Sequence, residues 1–131
     1  MKIRRGFVTN SSSSSFVIAT RIGMKKEDIE KELEKMIPAE ELDAFWSDWE
    51  AYAADDESRD SIIPEMADFI YSETHYGTPL FDGFKVSAAT LYDDGEMIGE
   101  SAICALQGYL IGESVKVVET LCVNLLLNFQ K

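Results

Sequence analysis

The sequence predicts an α+β fold, a single small domain in which hairpins flank a helical middle. Three observations predict it. The chain has 131 residues, the length of one domain with a sizeable core. Its 46% apolar and 27% charged residues are the balance of a globular chain, which excludes disorder for the body of the molecule. The spacing of apolar positions also changes along the chain, from strand-like runs near the start to helical repeats between 24 and 73, then back to a strand.

Each element follows in order. Residues 2–8 (KIRRGFV) and 16–22 (FVIATRI) are rich in β-branched and aromatic side chains. Asn10 and Ser11–Ser15 lie between them and form turns, so an N-terminal hairpin with a polar loop is expected. From Met24 the period becomes helical. Ile29, Leu33, Met36 and Ile37 share a face, Glu27 supports Lys31 at i,i+4, and Pro38 ends this helix and opens the next. Over 39–54, Leu42, Phe45, Trp46, Trp49, Tyr52 and Ala53 form a wide apolar stripe, with Glu40 and Glu41 at the positive end of the helix dipole. After the charged connection 55–60, Ser61 is placed to cap a third helix. That helix tolerates Pro64 in its first turn and turns Ile62, Ile63, Met66, Phe69 and Ile70 inward as far as about Glu73.

Gly77, Pro79 and Gly83 mark 74–83 as a loop. Residues 84–92 read as a strand, Asp93-Asp94-Gly95 as a hairpin turn, and Glu96 onward as the returning strand to at least Gly99. Between Glu100 and Leu110 two patterns compete. Ala102, Ala105, Leu106 and Tyr109 fit a helix, and Ser101, Ile103 and Ala105 fit a strand; strand followed by irregular chain is the reading taken. Polar residues at 116, 120, 124 and 128 predict a C-terminal helix over 114–129. Strand is its rival, because Val115, Val117, Val118 and Val123 favour it.

Charge is the most unusual property. There are 24 acidic and 12 basic residues, a net −12, and they are unevenly placed. Residues 1–35 carry +3, whereas twelve acids between 38 and 73 meet one base, Arg59. Such a field repels nucleic acid and anionic membranes and draws basic surfaces. The expected partner is therefore a protein with a basic surface, with no direct nucleic acid and no membrane, although acidity also serves solubility. No apolar stretch approaches the ~20 residues of a spanning helix. Lys2, Arg4 and Arg5 precede polar serines and not an apolar signal core, which points to the cytoplasm.

Motifs of bond-making chemistry are not found. His75 is the single histidine and has no nucleophile placed beside it. Cys104 and Cys122 lie among apolar residues, which keep thiols inert; a disulfide between them is the alternative. The 55–65 stretch lacks the central glycine and alternation of a calcium loop. The serine run has no internal glycine and no following lysine, so it is not read as a phosphate cradle, though its hydroxyls are open to modification. No catalytic residue, metal or cofactor is assigned. The candidate partner-binding set is Glu40, Glu41, Asp43, Trp46, Asp48, Trp49, Glu50, Asp55, Asp56 and Glu57. Core packing is the ordinary role of an aromatic stripe, but a wide one leaves a tryptophan edge for a partner.

Residues 6–18, GFVTNSSSSSFVI, resemble an N-terminal signature of uncharacterised phage and bacterial proteins, in which a short basic lead precedes Gly-Phe-Val, Ser or Thr, Asn, a serine run and Phe. The resemblance covers about the first 18 residues. It implies origin as a phage or mobile-element accessory protein and assigns no catalytic residue. The leading expectation is a non-enzymatic acidic module that inhibits a host factor, with nucleic-acid mimicry as one route. The alternatives are a homo-oligomeric assembly protein and a small-ligand binder or enzyme with a site near His75 and Tyr76.

Overall fold

The structure, a computed structural model, describes residues 13–80, 83–92 and 97–120. In chain order the elements are β1 (Ser13–Arg21), α1 (Lys26–Met36), α2 (Ala39–Trp49), α3 (Ile62–His75), β2 (Thr78–Leu80), β3 (Phe84–Tyr92), α4 (Ile98–Ala105) and β4 (Val115–Glu119), with single 3-10 turns at Glu50–Tyr52, Arg59–Ser61 and Gln107–Tyr109. The strands form an antiparallel sheet in the order β2-β3-β1-β4. The α+β class is thus as expected. Among the described residues no helix is long and apolar enough to cross a membrane.

Alternation along the strands decides where the core lies. Phe16 and Ile18 of β1, Leu91 of β3 and Val115 and Val117 of β4 point to one face and are buried. They join Ile29 and Leu33 of α1, Leu42, Phe45 and Trp49 of α2, Met66 and Ile70 of α3, and Ile98 and Ile103 of α4 in one cluster. The helical layer therefore covers this face. On the opposite face the Arg21 guanidinium lies 4.7 Å from the centre of the Phe84 ring, and Lys116 Nζ lies 5.5 Å from it.

Helices α1, α2 and α3 form where the periodicity places them. Four expectations need correction. Ser13, Ser14 and Ser15 are not loop: they pair with Tyr92, Leu91 and Thr90 within β1. A strand ladder needs only backbone groups, and the Ser15 side chain is exposed. Ser61 does not cap α3. It is itself helical in backbone angles, and its Oγ accepts the Ser58 N–H. The expected 74–83 loop contains β2, a short edge strand where Pro79 costs the sheet little. The expected strand after the second turn is α4 instead. Ile98, Ala102 and Leu106, at i,i+4 spacing, are buried while Ala105 is exposed.

At the end of the chain the rival reading is the correct one, since Val115–Glu119 is a strand. Val118 is buried on the face opposite Val117, so burial on both sides erased the strand alternation that a sequence displays. Both edges of Phe16–Thr20 are taken, by β3 and by β4, which leaves no edge for the expected hairpin partner 2–8. Residues 2–8 themselves, the Asp93-Asp94-Gly95 turn, Cys122 and the rest of 121–129 lie outside the described residues.

Candidate functional site

The ten candidate partner residues lie on α2 and the segment that follows it, and two ties hold that segment along the helix. Arg59 Nε donates to Asp43 Oδ1 at 2.6 Å, and its Nη2 donates to the Ala39 carbonyl at 3.2 Å. At the other end, Trp49 Nε1 donates to Glu57 Oε1 at 2.9 Å, and the same oxygen accepts the Ala54 N–H at 3.0 Å. The acids of helix and loop are therefore presented as one surface. Glu40, Glu50, Asp55 and Asp56 are exposed there. Glu41 and Asp48 are half-buried. Partial desolvation and the hydrogen-bonded Glu41 carboxylate hold the Tyr109 phenol above its usual pKa.

The structure corrects part of the set. Trp49 is 1% exposed and stacks on Phe45 with ring centres 5.9 Å apart. It is a core residue and offers no edge to a partner. Trp46 is half-buried against the core. Asp43 and Glu57 spend their charge inside the chain, on Arg59 and on the Trp49 indole. Further acids lie outside that set: Asp60 is exposed in the same segment, and Glu65, Asp68, which pairs with Lys26, and Glu100 line a separate hollow of about 200 Å³ between α3 and α4. Among the described residues no group of three His, Cys, Asp or Glu is placed to hold a metal ion. Cys104 is half-buried beside the core.

A second locus has the opposite sign. Where β1 ends, the chain turns at Gly23, whose φ of +95° is a left-handed geometry that glycine adopts freely. That turn, the last helical turn of α3 and the start of β3 enclose a cavity of about 230 Å³. Lys25, Lys85 and His75 line it, with Thr20, Tyr71 and Thr74 completing its polar wall; Arg21 borders it too, but its guanidinium is turned to the opposite sheet face, over Phe84. Lys85 Nζ donates to the His75 carbonyl at 2.9 Å, which offsets the negative end of α3. Tyr71 packs on the His75 ring at 5.4 Å. His75, named from sequence, does line a cavity, but Tyr76 projects outward at 90% exposure. Thr20, Lys25 and Lys85 were not singled out from sequence. The available signal was the excess of bases in the first 35 residues, within a chain that is otherwise acidic.

Comparison with known protein families, curated proteins and solved structures finds no match for this chain.

Proposed function

We propose that the protein is a non-enzymatic binding module whose α2 side, with the 53–60 segment tied along it, docks on the basic surface of another protein. The observation that carries this reading is the uncompensated carboxylate surface. Glu40, Glu50, Asp55, Asp56 and Asp60 are exposed in a segment that has one base, and that base, Arg59, is already paired with Asp43. Long-range attraction from such a surface speeds encounter with a cationic cleft and competes there with nucleic acid. The N-terminal resemblance to phage and bacterial proteins fits an accessory protein that acts on a host factor.

The test uses the full chain and the variant Glu40→Lys/Glu50→Lys/Asp55→Lys/Asp56→Lys, each immobilised against one bacterial lysate at low and high salt. The expected result is a basic protein retained by the wild type at low salt, released at high salt, and lost from the variant. Equal recovery on both baits would sink the proposal. Asp43 and Glu57 are left unchanged so that the fold is not disturbed.

A further inference from the structure

The cavity at the end of β1 is the place where the overall charge balance of the molecule is inverted. The chain has twice as many acids as bases, yet the residues around this cavity include Lys25, Lys85 and the single histidine, and no carboxylate. No ion pair forms on Arg21, Lys25 or Lys85 among the described residues. The Asp28 carboxylate of the neighbouring first turn is engaged with the Lys25 backbone N–H at 3.0 Å. It also occupies the amino end of α1, so the attraction comes from side chains and not from the helix.

A second observation is independent of charge. Thr20 lies on the core face of β1, opposite Lys85 in the ladder, and is 4% exposed. Its neighbours on that face are Phe16 and Ile18. Among the described residues no hydrogen bond reaches its hydroxyl, whereas Thr74, buried on the other wall, donates its own to the Ile70 carbonyl at 2.9 Å. A buried hydroxyl left without a partner costs stability, and here it borders a space large enough for a few heavy atoms.

We infer that this cavity binds a small oxyanion, phosphate or a phosphate monoester. Thr20 Oγ1 donates one hydrogen bond, and the Lys25 and Lys85 ammonium groups supply charge. The Tyr71 and His75 rings form the wall against which an ester carbon would rest. The site is independent of the acidic surface and stands or falls separately from it.

One histidine makes the test direct, because the ring protons of His75 are a single unambiguous NMR reporter in the untagged full chain. At fixed pH, inorganic phosphate and glycerol phosphate are titrated separately, with sodium chloride at matched ionic strength as the control. The expected result is a saturable shift with one or both phosphates and none with chloride; the tighter of the two identifies free phosphate or monoester as the ligand. Thr20→Val preserves side-chain shape, and Lys25→Gln alters an exposed residue. Each is expected to weaken binding about tenfold while the rest of the amide spectrum is unchanged. Shifts that track ionic strength alone overturn the inference, as do both variants titrating like the wild type.

Discussion

Glu57 shows how one acid in an acidic chain can be structural. Its Oε1 serves the indole N–H of a fully buried tryptophan and a backbone N–H together. Removing it takes the carboxylate from both donors, and a hydrogen bond to a charged group contributes about 1.5–3 kcal/mol. Glu57→Ala is therefore expected to lower stability by that amount in urea unfolding, with Glu57→Gln recovering most of it. Equal losses in the two variants would show that charge, not the acceptor, matters. Lys116 is a second such position. Desolvation, then Arg21, lowers its pKa below the usual 10.5, against the smaller pull of Glu113 and Glu32. A lysine whose folded pKa lies below its unfolded value opposes folding while protonated, and that cost fades as pH rises through the lowered pKa towards 10.5. Relative to Lys116→Met, the wild type is thus expected to gain stability from neutral pH towards 10.5. A constant difference in melting temperature across that range would contradict it.

At the scale of elements, α4 explains why part of the fold was hidden. Helix α4 packs on α3 through Gly99, where an added Cβ would sit 2.6 Å from the Glu65 carbonyl oxygen and 2.9 Å from its carbon. Such contact lies against backbone that cannot step aside. Gly99→Ala is expected to cost about 1–3 kcal/mol by overpacking, despite the better helix propensity of alanine. A variant as stable as the wild type by thermal unfolding would mean that the two helices can separate. The stretch from Ile98 to Leu106 fits both periods on paper, so local pattern did not decide between them. Burial against α3 did. The same holds for β4, whose valines are covered on both faces, and for β2, three exposed residues held by pairing to β3. By contrast α1, α2 and α3 carry one-sided stripes closed by Pro38 and by the Gly77 turn, and those were legible.

For the molecule as a whole, a net −12 means that folding compresses like charges. Raising sodium chloride from about 10 to about 150 mM shortens the screening length to about 8 Å. Such screening is expected to raise the melting temperature by a few degrees. A melting temperature that falls instead would imply that ion pairs such as Arg59–Asp43 and Lys26–Asp68 outweigh the repulsion. The two loci divide the remaining work by sign. The acids of α1 are interspersed with Lys26, Lys31 and Lys35, those of α2, its following segment and α3 meet the single base Arg59, and Arg21, Lys85 and Lys116 belong to the sheet. Of the ten residues proposed from sequence, the exposed carboxylates stand on the acidic surface, and Trp49 left it because its ring fills the core.

What the sequence determined alone was composition-borne: the α+β class, the three amphipathic helices and the lopsided charge, because each is written in local spacing and in counts of residues. What the tertiary structure decided was partnership. It made Trp49 core, Glu57 its acceptor, residues 98–105 a helix and 115–119 a strand, and it drew Thr20, Lys25, His75 and Lys85 to one cavity from three separate stretches of chain. Those outcomes depend on which distant surfaces meet, and no window of neighbouring residues contains that information.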